Sequence, residues 1–307
     1  MKILVTGGAG FIGSNLVEAL VEKGHEVIVV DNLFLGTKEN LASVMKEITF
    51  FNNDVRNKEL MKNISKNCDF IFHEAAASSA PMFFKDPRES FSSTVDGFLN
   101  VLQAAKENNI ERVIYASSSS VYCKLKPPHE ESMQVTPIDF YTLSKIAVEN
   151  IAKMYTDLFG LETVGFRYFS VYGPHEKAKG KYANIISQFL WDMKKSIPPV
   201  IYGNGTQTRD FIYVKDVVKA NLLAMNTKKK IAGEVFNVGT GAAKSFNNIV
   251  EILNRVLRTA MKPNYVKNPI KNYVNYTLAD TKKARTVLNF EAKYSLEKGI
   301  NEIKDLN

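Results

Sequence analysis

A phenol and an ammonium stand four residues apart in Tyr141-Thr142-Leu143-Ser144-Lys145. On a helix the two share a face, one turn apart. A free tyrosine, with a pKa near ~10, is a poor base at neutral pH. A fixed ammonium beside it favours the phenolate and lowers that value. A tyrosine tuned in this way takes a proton from a substrate hydroxyl while a hydride leaves the same carbon. Ser118, off the end of the apolar run Arg112-Val113-Ile114-Tyr115-Ala116, is placed to donate to the same oxygen. Alone, such a pair also recurs as an exposed amphipathic pair; the segments that must position it give it weight.

A departing hydride needs an acceptor, and the first thirty-one residues offer it a seat. Lys2-Ile3-Leu4-Val5 is a short apolar run that reads as a buried strand. Thr6-Gly7-Gly8-Ala9-Gly10-Phe11-Ile12-Gly13 follows. Phe11, Ile12, Leu16, Val17, Leu20 and Val21 then recur at helical spacing, with Gly24 as the stop. Glu26-Val27-Ile28-Val29-Val30-Asp31 is a second apolar run ending in a carboxylate. In this order the first glycines turn the chain tightly, Gly10 lets a pyrophosphate approach bare backbone, and Gly13 lets helix and sheet pack closely. The helix N-terminus presents free N–H groups to that anion. Asp31 accepts from both ribose hydroxyls and repels a 2′-phosphate, which favours NAD over NADP. The spacing is G-x-x-G-x-x-G rather than G-x-G-x-x-G, so the flanking strands, helix and acid carry the reading.

The remaining strands and helices alternate as the scaffold requires. Ile48-Thr49-Phe50-Phe51 reads as a third strand, leading to Asp54. That carboxylate either holds an adenine amino group or caps a helix over 57–65. Cys68 to His73 is a fourth strand, with His73 a core-edge histidine, and the small residues Ala75, Ala76 and Ala77 beyond it leave room for a dinucleotide. Residues 87–108 read as one long amphipathic helix, 112–116 as a fifth strand, 124–137 as a loop, and 140–159 as the helix bearing Tyr141. Strand and helix alternate to about Phe166, which defines an α/β fold with a doubly wound parallel sheet. Beyond Arg167 the pattern loosens: a loop over 168–180, a helix over 182–195, extended pieces at 198–203 and up to 213, a strand at 234–238, a helix over 245–257, and two helices in the tail. A smaller α/β domain interleaved with the sheet is expected: 1–166 plus about 211–242 for the dinucleotide, about 167–210 plus 243–307 for the substrate.

With 307 residues, 45% hydrophobic and 23% charged, the chain has the composition of a folded α/β protein. No apolar run approaches the ~20 residues of a membrane span. The first apolar run is cut by Thr6-Gly7-Gly8, unlike a signal peptide. Cys68 and Cys123 are the only cysteines, so neither a disulfide framework nor a metal site is expected, and a cytoplasmic enzyme fits. The formal charge of +8 is scattered; its densest run, Lys228-Lys229-Lys230, reads as a solvated loop. An anionic small substrate explains the charge better than nucleic acid does.

The glycine turn, Ser118 before Val121-Tyr122, Tyr141-x-x-x-Lys145, Arg167-Tyr168-Phe169-x-Val171-Tyr172-Gly173-Pro174 and Thr208-Arg209-Asp210-Phe211 together resemble the extended short-chain dehydrogenases/reductases. Within them the chain is most similar to the NAD-dependent epimerase/dehydratase group, and to the UDP-glucose 4-epimerase type in particular. The resemblance covers nearly the whole chain. It implies that NAD stays bound, that Tyr141 deprotonates a 4-hydroxyl while the C4 hydride passes to NAD, and that the 4-keto sugar turns before the hydride returns to its other face. Lys145 would tune Tyr141 and hold the nicotinamide ribose, and Ser118 would steady the substrate oxygen. Cofactor contacts would come from Gly7, Gly10, Phe11, Ile12, Gly13, Asp31, Asn32, Asp54, Val55, Ala75, Ala76, Ala77, Ser117, Tyr141, Lys145 and Tyr168. Substrate contacts would come from Ser79, Ser118, Ser170, Asn184, Tyr202, Arg209, Lys271 and Thr277, with Arg209 clamping the diphosphate.

Neighbouring activities sort on Ser119 and Ser120. The dehydratases of this resemblance carry Asp-Glu there and decarboxylating relatives carry Glu at the second position, so epimerisation remains. The chain departs from the group's pattern at Cys123 (usually Gly), Ser170 and Thr94 (usually Asn), and in the tail, where Asn268-Pro269-Ile270-Lys271 replaces a diphosphate-binding Arg and Lys271 would substitute. Thr277, a small residue three positions before Asp280, implies tolerance of N-acetyl sugars. Epimerisation of another nucleotide sugar such as UDP-glucuronate is the competing enzyme reading and needs a cation near C6. A catalytically idle NAD-binding or RNA-binding protein is the competing reading of another class. A homodimer through helices 87–108 and 140–159, paired as a four-helix bundle, is expected.

Overall fold

The computed structural model describes residues 1–269 and 273–306. The chain begins with β1 (Lys2–Thr6), α1 (Phe11–Glu22), β2 (Glu26–Asp31), β3 (Ile48–Asn52), α2 (Lys58–Ile64) and β4 (Phe70–His73). Three helices follow, α3 (Ala80–Lys85), α4 (Pro87–Phe91) and α5 (Gly97–Glu107), then β5 (Arg112–Ser118), α6 (Phe140–Phe159) and β6 (Glu162–Tyr168). These strands, with a later one, make a seven-stranded parallel sheet, as the alternation of elements requires. Its inner strands are buried on both faces, while the edge strand β3 is only partly covered, and the period of two sorts their side chains. Ile3, Val5, Val27 and Val29 join the core on one face, while Leu4, Ile28 and Val30 join the core on the other.

From β6 the chain runs through β7 (Ser170–Tyr172), α7 (Ile185–Lys194), β8 (Val200–Tyr202), β9 (Thr208–Tyr213) and α8 (Val214–Asn226) before β10 (Glu234–Val238) returns to the large sheet beside β6. β11 (Ala243–Ser245), α9 (Phe246–Leu257), β12 (Asn264–Val266), α10 (Lys282–Leu288) and α11 (Leu296–Ile303) complete it. The order of the large sheet is β10-β6-β5-β4-β1-β2-β3; β11-β9-β7 form a second sheet and β12-β8 a third. Because β1 pairs with both β2 and β4, the order of strand addition reverses there, and the crevice at their carboxyl ends is where such sheets hold ligands. Among the described residues no helix is long and apolar enough to cross a membrane.

Several expectations need correction. Residues 87–108 do not form one uniform helix: a π turn over Ser92–Asp96 separates α4 from α5. There Thr94 accepts a bond from the Ala77 amide (3.2 Å) and Ser93 faces the crevice. The loop expected over 168–180 contains β7, and α3, α8, β11 and β12 are additional. The hydrogen-bonded ladders carry β6 to Tyr168 and pair β9 from Thr208 with the small sheet. Asp54 does not cap α2; Asn57 does, accepting from the Leu60 amide at 3.1 Å.

Candidate active site

A cavity of 1010 Å³ opens at the carboxyl ends of β1, β2, β4, β5 and β6. Its floor is the glycine turn. Gly7 takes a positive φ of 67°, and a Cβ there would strike the Ala75 amide; one at Gly13 would overlap the Gly7 carbonyl. No side chain caps α1, so its first amides at Phe11, Ile12 and Gly13 face the cavity as anion donors. Asp31 ends β2, buried, with its carboxylate accepting from the amides of Ala9 (3.0 Å) and Leu33 (2.8 Å). Burial raises its pKa, and those amides pull it back down. Ser79 Oγ is buried without a hydrogen-bond partner on the same cavity wall. Uncapped amides, a terminal acid and an orphaned hydroxyl fit a dinucleotide.

Tyr141, Lys145 and Ser118 converge on this cavity. The start of α6 is fixed by a capping box: Asp139 accepts from the Thr142 amide (2.8 Å), and the Thr142 hydroxyl accepts from the Asp139 amide (3.2 Å). Tyr141 packs against Phe83 of α3, ring centroids 5.6 Å apart. Ser118 ends β5 and accepts from the Ser120 amide at 3.1 Å. The expected tuning of Tyr141 by Lys145 has no direct bond between the two side chains behind it among the described residues. Burial raises the Tyr141 phenol, and the hydrogen bond from Ser118 is what lowers it. Lys145 Nζ instead donates to the Ala116 carbonyl at 3.0 Å. Burial pushes that ammonium down to about 8, with Glu74 and Glu149 opposing the fall. The long lysine stem reaches across to β5, so a shared helical face does not become direct contact.

The other expected cofactor residues Asn32, Asp54, Val55, Ala75, Ala76, Ala77, Ser117 and Tyr168 line the cavity. Four of them, Asn32, Asp54, Ser117 and Tyr168, have committed side chains. The Asp54 carboxylate holds Asn32 and a bidentate Arg56, which brings it down to about 2. The Ser117 hydroxyl donates to Glu149. Of the expected substrate residues, Ser79, Ser118, Ser170, Arg209 and Thr277 line the cavity. Asn184 and Tyr202 do not: Asn184 caps α7 and donates to the Val171 carbonyl, and Tyr202 sits on β8 paired with Val266. Arg209 donates to the carbonyls of Thr208 (2.8 Å), Asn275 (3.2 Å) and Val274 (2.5 Å), so much of its fork already holds main chain. Lys271 lies outside the described residues. Cys123, where the group carries Gly, keeps a positive φ of 46°.

The sequence reading missed Glu74, Lys179 and His129, all on the cavity wall. Lys179 pairs with the buried Glu176 (3.3 Å) and lies 5.2 Å from the Phe11 ring centroid. His129 stacks on Tyr122 at 4.7 Å, and its Nδ1 is buried without a partner. No local motif signals these residues, since loops far apart in sequence bring them together.

Fold and cavity define a dinucleotide-binding α/β protein that presents a tyrosine, at the start of a capped helix, to its ligand crevice. The sequence profile of the NAD dependent epimerase/dehydratase family matches residues 3–239, and the chain belongs to that family. It is an NAD-dependent isomerase. It is 36% identical over 304 residues to a putative UDP-glucose 4-epimerase of Methanocaldococcus jannaschii, covering 98% of this chain and 96% of that one. The crystal structure of UDP-glucose 4-epimerase from Thermotoga maritima with UDP-glucose superposes with a TM-score of 0.93 at 34% identity, over 99% of this chain and 98% of that one. UDP-glucuronic acid 4-epimerase from Bacillus cereus, in complex with UDP-glucuronic acid and NAD, superposes with a TM-score of 0.91 at 29% identity, over 99% and 98%.

Proposed function

We propose that this chain inverts C4 of a UDP-hexose, interconverting UDP-glucose and UDP-galactose through a transient 4-keto sugar. The observation that carries the reading is the meeting of Tyr141 and Ser118 in one cavity with Ser119 and Ser120, which bring no carboxylate for elimination or decarboxylation. NAD, when bound, supplies the site that accepts the C4 hydride and returns it. Tyr141 removes the 4-hydroxyl proton and gives it back, and such a positioned base is worth roughly 10²–10⁴-fold in rate. Ser118 donates to the phenolate and holds the reacting oxygen in line. Lys145, anchored on Ala116, keeps a positive charge at the inner end of the cavity. Ser79, Ser170 and Arg209 are our candidates for the nucleotide sugar. Thr277, a small residue on the cavity wall, is our candidate for admitting an N-acetyl group at C2, so we expect the N-acetyl pair to be a substrate as well.

UDP-glucuronate is the second reading, and one observation favours it. The cavity wall carries Lys85 and Lys179 besides Lys145 and Arg209, which supplies cations for a C6 carboxylate. Purified protein incubated with UDP-glucose, UDP-GlcNAc and UDP-glucuronate, with products resolved by chromatography, separates the readings. The expected result is galacto-epimers of the first two, abolished in Tyr141→Phe with NAD retained. Turnover of glucuronate alone transfers the assignment, no turnover of the N-acetyl pair removes the claim for Thr277, and undiminished activity in Tyr141→Phe overturns the mechanism. We further propose that the protein is cytoplasmic and acts as a homodimer through α5 and α6.

A further inference from the structure

Glu74 directly follows β4, whose His73 pairs with Tyr115, so it stands beside Ala116 on β5, and it lines the cavity. Its carboxylate accepts a hydrogen bond from Tyr168 Oη at 2.8 Å, and Tyr168 in turn accepts from Asn221 Nδ2 at 2.9 Å. Tyr168 pairs in register with Ser118, so this chain of groups passes under the end of β5, where Ala116 holds Lys145. Two carboxylates lie within electrostatic reach of Lys145, Glu74 and Glu149. Glu149 already has a counter-charge: Arg167 grips it with two bonds, at 2.9 and 2.7 Å. Glu74 enters no ion pair among the described residues, and its hydrogen-bond donor is a neutral phenol. The remaining titratable neighbours carry no charge at neutral pH. Burial and Lys145 hold His73 down to about 3, and burial raises the phenols of Tyr115, Tyr141 and Tyr168.

We propose that Glu74 is a positioning residue that acts through Lys145: held by Tyr168 and Asn221, its carboxylate is the counter-charge that keeps the Lys145 ammonium in place at the reaction centre. Burial raises Glu74 to about 7, and Lys145 opposes the rise, as expected of two charges that support each other. A neutral side chain at 74 removes that support. The ammonium then loses its proton at lower pH, and the alkaline limb of turnover moves toward acid.

The test uses the NAD-loaded protein. Lysine Cε signals are followed by ¹³C NMR against pH without sugar, and the Lys145 signal is assigned by its loss in Lys145→Met. In Glu74→Gln the Lys145 midpoint falls by about one unit or more, and the alkaline limb of kcat moves with it while KM changes little. Tyr168→Phe, which frees the Glu74 carboxyl to stay protonated, moves both in the same direction by less and serves if Glu74→Gln does not fold. A Lys145 midpoint unchanged in both variants overturns the inference. The inference rests on the epimerase reading for its kinetic arm alone. A shifted NMR midpoint without turnover of any UDP-sugar would sink that reading and leave the coupling standing.

Discussion

Arg167 shows how a single buried side chain ties several elements together. Its guanidinium bonds both oxygens of Glu149 and the Tyr122 hydroxyl (3.0 Å), which donates to Asn237 (2.6 Å). The Arg167 and Glu149 side chains are only 7% and 10% exposed. Removing one partner of such a pair leaves an uncompensated buried charge, at a cost of about 3–5 kcal/mol. Glu149→Ala should lower the urea midpoint accordingly, and a loss under ~0.5 kcal/mol would show that water replaces the carboxylate. At this scale the sequence spoke clearly about types and poorly about partners. The spacing of Tyr141 and Lys145 was legible, yet the lysine's actual acceptor, the Ala116 carbonyl, belongs to a strand whose distance from α6 only the fold sets. Glu74 carried no signal at all, because its meaning depends on Tyr168, ninety-four positions away.

The elements were more readable where their signals are local. A continuous apolar run and a terminal acid mark β2, and helical spacing with Gly24 marks α1; the capping box of Asp139 and Thr142 on α6 emerges only in the structure. Three-residue strands such as β7, β11 and β12 hold too little pattern to register. The π turn between α4 and α5 is set by what Thr94 must reach, a tertiary demand. The cap of α6 offers a test of how far an element controls chemistry. Asp139→Ala costs about 1 kcal/mol and lowers kcat, since it loosens the turn that carries Tyr141. Ser245→Ala, which breaks the equivalent box on α9, should cost a similar amount in thermal melts and leave kcat alone. Equal rates in the two variants would separate cap from catalysis.

For the whole molecule, the seven-stranded sheet and its crevice followed from the alternation of strands and helices, whereas the two small sheets did not, because most of their strands are only three residues long. α5 and α6 turn apolar side chains outward: Met154 is 58% exposed, Leu158 71% and Phe159 49%. Under the homodimer reading these are the contact, and Leu158→Glu should convert dimer to monomer by light scattering; a monomeric wild type at micromolar concentration removes the reading. The chain also leaves the large sheet after β6 and rejoins it at β10, having built β7, β8 and β9 on the way. No contiguous stretch can therefore be excised as either half. Heating must dismantle both together, so a calorimeter would register one endotherm, and a lesion at Arg167 would be felt in the melting of residues that never touch it.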